Sequence, residues 1–162
     1  MCSETVNYRR VASYRVCKTF TVESGHMLSR HPERCKYPHG HTRTVEVVVS
    51  GKHLDANGML LDFKALKLAV QEYIERYDHA LAVNSEDPLL PALLANYPSD
   101  AVIVFEGTEP TTEVIAKDIY DHVASILANG FASGPYKIDA SSVQLERIRV
   151  WETPSSWAEY GT

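Results

Sequence analysis

Cysteine is scarce in this chain, with Cys2, Cys17 and Cys35 the only three in 162 residues. A set this small and odd in number cannot build a disulfide framework and suits a reduced protein. Long apolar runs are missing too. Nothing approaches the roughly 18 residues that a membrane span needs, and the opening residues, with Glu4, Asn7, Arg9 and Arg10, hold no apolar signal-like core. The expectation is a cytoplasmic protein with no membrane partner. Positive charge is not in excess either: the net charge of -5 argues against a broad nucleic-acid surface. Internal repeats and low-complexity stretches are absent. What remains, 44% hydrophobic and 23% charged residues, suits a single domain spanning 1–162 with a core of its own.

The apolar pattern orders the elements. Residues 1–12 read as a polar lead-in. Tyr14, Val16, Phe20 and Val22 then alternate with polar residues as a strand does, and Val45, Val47 and Val49 mark a second strand over Thr42–Ser50. Residues 51–58 read as a turn. Phe63, Leu66, Ala69, Val70, Tyr73, Ile74 and Tyr77 recur at helical spacing behind a capping Asp62. A second helix is expected over about Thr111–Ala128, between Pro110 and Asn129-Gly130. The segment 85–109 reads as an extended loop, or as an extra strand at Val102–Phe105. The last strand spans about Ser142–Glu152, with a bulge expected near Arg147 and Ile148. This order predicts an α+β fold with an antiparallel sheet and helices on one face. Its apolar edges predict an oligomer.

One stretch concentrates chemistry. Cys35-Lys36-Tyr37-Pro38-His39-Gly40-His41 places a thiol and two imidazoles within seven residues. In a strand, His39 and His41 project from the same face, and His26 at the end of the first strand is within reach if the two strands pair. Three histidines without a fourth protein ligand suit a catalytic zinc, which keeps an open position. Cys35 as a fourth ligand would instead close the site and make it structural. A thiol near the cation but not bound to it would have a lowered pKa and be free to act as base or nucleophile.

Other residues have two readings each. Asp78-His79 suits either proton transfer or a solvated helix end. Glu152 is either a surface carboxylate after a strand or an acceptor for the paired N–H groups of an amide edge such as that of a pterin or guanine. Thr111-Thr112-Glu113 fits helix capping, and equally hydroxyls facing a heterocycle. Arg30, Arg34 and Lys36 around Cys35 are solvated charges or contacts for an anionic substrate group.

Together, several segments resemble the 6-pyruvoyl-tetrahydropterin synthase and 6-carboxy-tetrahydropterin synthase family from about Phe20 to Tyr160. They are Val22-Glu23-Ser24-Gly25-His26, Cys35 with three residues before His39-Gly40-His41, and Gly58-Met59-Leu60-Leu61-Asp62-Phe63. Asp78-His79, Pro110-Thr111-Thr112-Glu113 and Trp151-Glu152-Thr153 follow in order. The resemblance implies the tunnelling fold, a four-stranded antiparallel sheet with two helices on one face. In that fold three subunits close a barrel and two trimers stack into a homohexamer. It implies zinc on His26, His39 and His41, Cys35 as catalytic thiol, and Asp78 and His79 as its partner dyad. Glu152 would anchor the pterin, with Thr111 and Thr112 lining its pocket.

The implied substrate is 7,8-dihydroneopterin triphosphate. Retention of Cys35 speaks against the branch with glutamate at that position. The short gap between Cys35 and His39 resembles the bacterial 6-carboxy-tetrahydropterin synthases of the queuosine and deazapurine route. The expected products are then 6-carboxy-5,6,7,8-tetrahydropterin, acetaldehyde and triphosphate. Elimination of triphosphate to a pyruvoyl product and a non-catalytic pterin-binding role are the alternatives. Departures from the family pattern are Val22 and Ser24 in place of Phe and Ala, a longer segment before Thr111, and Pro38 beside His39.

Overall fold

Two long strands frame the molecule: β1 (Tyr14–His26) and β2 (His39–Gly51) pair antiparallel over their whole length, Tyr14 opposite Gly51 and His26 opposite His39. This computed structural model describes residues 13–162, so the polar lead-in expected over 1–12 lies outside the described residues. β-Branched residues suit the pleated surface, and Val45, Val47 and Val49 turn one face of β2 into the core. Val48, on the opposite face, is also buried.

Onto that face packs α1 (Phe63–Glu75), which buries Leu66, Val70 and Ile74. The carboxylate of Asp62 caps it as expected, accepting from the N–H groups of Lys64 and Ala65 at 2.6 and 3.3 Å. The chain next forms β3 (Leu81–Asn84), α2 (Leu90–Asn96) and β4 (Val102–Phe105). α3 (Thr112–Asn129) follows and buries Ile115, Ile119 and Val123 on the same face. A small hairpin, β5 (Phe131–Ser133) and β6 (Tyr136–Ile138), leads to β7 (Gln144–Thr153) and β8 (Ser156–Gly161). Each aliphatic side chain buried between the sheet and the helices contributes roughly 1.5–3 kcal/mol.

The main sheet runs β4-β3-β1-β2-β7-β8. The four antiparallel strands of the expected fold are β1, β2, β7 and β8, with α1 and α3 covering one face. Val102–Phe105 is the extra strand expected in the segment 85–109: it pairs in parallel with β3, which pairs in parallel with β1, and α2 replaces the loop of the other reading. β8, β3 and the β5–β6 hairpin are too short or too polar to show periodicity. The β7 bulge falls at Glu146, one residue before the expected place: Val48 faces Arg147 while Val49 faces Leu145. No described helix is long and apolar enough to cross a membrane.

Candidate metal centre and active site

The pairing of β1 with β2 sets His26 directly opposite His39, and His41 lies two residues along the same face. Their ring centroids are 4.5, 5.1 and 5.3 Å apart, and one ligand nitrogen from each ring falls within 4.8 Å of the others. Backbone carbonyls fix two of the rings. Nδ1 of His26 lies 2.9 Å from the carbonyl of Pro110 and Nδ1 of His39 lies 2.8 Å from that of Tyr37. A carbonyl only accepts, so this network assigns the proton to Nδ1 and the lone pair to Nε2 in both rings. Nε2 of His26 and of His41 is buried with no hydrogen-bond partner. Burial pushes the His26 pKa down to about 4 and also lowers that of His41, with the positive charge of Arg43 adding to both. Neutral imidazoles with converging, unsatisfied lone pairs fit a divalent cation. Cys35 is not part of this cluster. It sits part-buried in a 3-10 turn, Arg34–Lys36, whose Cys35 carbonyl accepts the N–H of Leu28 at 2.9 Å.

Glu152 stands against the histidines. Its Oε1 is 3.5 Å from Nε2 of His26 and 3.7 Å from Nε2 of His41. The same oxygen accepts the Thr112 hydroxyl at 2.8 Å and lies 3.3 Å from Nη2 of Arg43. Burial alone would raise the Glu152 carboxyl. The Thr112 hydrogen bond and the Arg43 guanidinium outweigh it and hold the group below the usual carboxylate range. Glu152 reaches this place because it lies two residues past buried Val150 on the same face of β7, and Val150 is opposite Val45, two residues from Arg43. The β7–β8 pairing skips Glu152, with Trp151 facing Trp157 and Thr153 facing Ser156. His26, Thr111, Thr112, Glu113 and Glu152 line one cavity of about 340 Å³. Thr111 also caps α3, accepting the N–H of Val114 at 3.4 Å, so its capping and site readings coexist.

Asp78 and His79 lie elsewhere. α1 has already ended, and the Asp78 carboxylate accepts the N–H of Glu23 at 2.8 Å while its other oxygen meets Nδ1 of His79 at 2.9 Å. The His79 N–H donates to the Glu23 carbonyl at 2.6 Å and holds that residue at φ 59°, a strained value for a non-glycine. These bonds pull the Asp78 carboxyl below its ordinary range, the Glu23 N–H foremost. His79 lines a cavity of about 610 Å³ with Glu23, Ser24, His41, Thr42, Leu93 and Tyr97. Glu23 and Thr42 lie on one face of the sheet and Ser24 and His41 on the other, so this cavity reaches both faces and His79 shares it with one histidine of the cluster.

A sequence profile of 6-pyruvoyl tetrahydropterin synthase matches residues 15–162. The chain belongs to the 6-pyruvoyl tetrahydropterin synthase family. That makes it an enzyme of a lyase family. A relative from Bacillus subtilis, a 6-carboxy-5,6,7,8-tetrahydropterin synthase, is 32% identical over 91% of this chain and 85% of its own length. A protein of the same description from Aquifex aeolicus is 28% identical over 91% of this chain and 97% of its own. Among solved structures, an uncharacterised Wolinella succinogenes protein superposes with a TM-score of 0.73 at 21% identity, covering 93% of this chain and 99% of that one. Plasmodium vivax 6-pyruvoyl tetrahydropterin synthase gives 0.67 at 17% identity, covering 93% and 98%. These two likenesses establish the fold.

One residue beside the site escaped the sequence reading of this family member. Arg43 continues the same-face series His39, His41, Arg43, Val45 and is buried beneath Glu152. The signal was present: a cation at the buried register of an otherwise apolar strand needs a partner.

Proposed function

We propose that this protein is a zinc-dependent lyase that converts 7,8-dihydroneopterin triphosphate and one water to 6-carboxy-5,6,7,8-tetrahydropterin, acetaldehyde and triphosphate, in the queuosine and deazapurine route. One observation carries the reading: three imidazoles with converging lone pairs share their surroundings with Glu152 and Thr112, a set suited to a cation and a heterocycle side by side. The names of the Bacillus subtilis and Aquifex aeolicus relatives support the product. Zn²⁺ on His26, His39 and His41 would supply a Lewis acid that favours deprotonation next to the side-chain hydroxyls.

The other roles follow from chemistry and placement. Glu152 accepts N–H groups from the pterin's amide edge, with its Oε1 fixed by Thr112 and Arg43, while Thr111 and Thr112 line the pocket. Cys35 moves a proton at the carbon flanked by the hydroxyls. Asp78 orients His79, which exchanges a second proton. Because His79 and Glu152 line different cavities of one chain, the dyad that serves a given substrate comes from a neighbouring subunit. This is consistent with a homohexamer built as a dimer of trimers, each chain acting as one domain. A thiol that must stay reduced fits cytoplasmic work.

The test is to incubate zinc-loaded protein with 7,8-dihydroneopterin triphosphate and identify products by mass spectrometry, with Cys35→Ala as control. Carboxy-tetrahydropterin and acetaldehyde, reduced at least 100-fold in the control, are expected for a group moving protons in the transition state. A pyruvoyl product would move the protein to the triphosphate-eliminating branch. Binding without turnover would make it a pterin carrier.

A further inference from the structure

Arg43 is the least accounted-for group near the site. Its side chain is 1% exposed, its Nη2 lies 3.3 Å from Oε1 of Glu152, and its Nε and Nη1 have no partner among the described residues. Fold stability does not explain it. A buried ion pair adds little compared with well-packed apolar side chains, and unpaired buried donors cost free energy. Its position relative to the histidines is the better guide.

Oε1 of Glu152 stands 3.5 and 3.7 Å from Nε2 of His26 and His41. A cation bound at about 2 Å from those nitrogens would have this carboxylate oxygen close enough to become a further ligand. Carboxylates bind such cations readily, and that ligand would take the open position on which catalysis depends. The protein's two holds on Glu152, the Thr112 hydroxyl at 2.8 Å and the Arg43 guanidinium, both engage this same oxygen. The hydroxyl is neutral. The guanidinium is a fixed, buried cation and the stronger of the two competitors for a carboxylate.

We infer that Arg43 is a positioning residue that withholds Glu152 from the bound metal, keeping the metal's open position for substrate and the carboxylate for the ligand's N–H edge. The inference rests on the metal reading given under the proposed function. It deepens that reading by assigning a role to a residue that touches neither substrate nor metal.

Co²⁺ loading reports on this without any turnover. The wild-type protein, Arg43→Lys, Arg43→Met and Arg43→Met combined with Glu152→Gln are each titrated with Co²⁺, then with azide as an external ligand, following the visible d–d bands. Wild type and Arg43→Lys should change spectrum with azide. Arg43→Met should bind Co²⁺ on the order of tenfold more tightly and lose the azide response, because Glu152 has filled the open position. The double variant should regain the response, since an amide is a poor ligand. An Arg43→Met protein with wild-type Co²⁺ affinity and wild-type azide response would overturn the inference while leaving the metal reading intact. A wild-type protein that takes up no Co²⁺ would remove the metal reading and this inference with it. Should Arg43→Met fail to fold, Arg43→Gln removes the same charge while keeping a polar side chain. A lost or weakened azide response there supports the inference and an unchanged one counts against it.

Discussion

His26 resists protonation because its ring is buried beside Arg43 and His39, and the carbonyl of Pro110 offsets this only in part. The consequence for the metal-free protein has a definite sign. In the unfolded chain the ring protonates near its ordinary value of about 6.5. In the folded chain it does so only near 4. The stability tied to the neutral ring is therefore fully present above pH 6.5 and is lost as pH falls from 6.5 towards 4. The loss is on the order of 3 kcal/mol, read as a falling urea midpoint for chelator-treated protein. His26→Phe, which does not titrate, should flatten that part of the profile. Legibility differed among residues here. The type and spacing of His26, His39 and His41 pointed to a metal and Glu152 already had a pterin-edge reading, whereas Arg43 looked ordinary until burial placed it against Glu152.

Strands and helices whose faces are strongly periodic were readable, and those whose residues serve a junction were not. β2 and α1 follow their apolar spacing closely. The apolar run Val102–Phe105 was readable as the extra strand β4, whereas the four-residue β3 owes its place to β1, a partner remote in sequence, and β8 carries the exposed pattern of an edge. Element ends supply sharper tests. Gly130 closes α3 at φ 82°, where an added Cβ would meet the backbone of Ile138 and Ala140 at 3.0 Å. Gly130→Ala should lower stability by roughly 1–3 kcal/mol in chemical denaturation, through strain and crowding together. Asp62→Ala removes two hydrogen bonds from the start of α1 and should cost about 1 kcal/mol in the same assay. Neither residue touches the candidate site, so turnover at low temperature should be preserved in both.

For the molecule as a whole, the decisive fact is that His79 lines one cavity, which it shares with His41, while Glu152 and His26 line another. Under the proposed function, a reaction that uses Glu152 together with the dyad draws them from two chains. Mixing His26→Ala with His79→Ala protein under conditions of subunit exchange should restore activity that each lacks alone, since some interfaces then combine an intact cluster with an intact dyad. Activity that stays at the level of the separate variants would confine the reaction to one chain. Light scattering should give the mass of a hexamer if the open edges at β4 and β8 are used in assembly.

By itself the sequence determined the amphipathic helices, the long strands and the chemical types gathered at His26, Cys35, His39 and His41. These depend on local spacing, and local spacing is what a sequence states directly. Only the tertiary structure decided that His26 meets His39 across a strand pair, that Arg43 is buried under Glu152, and that His79 and Glu152 line different cavities. Such juxtapositions depend on register, bulges and burial, which are properties of the assembled sheet and leave no periodic trace in the chain.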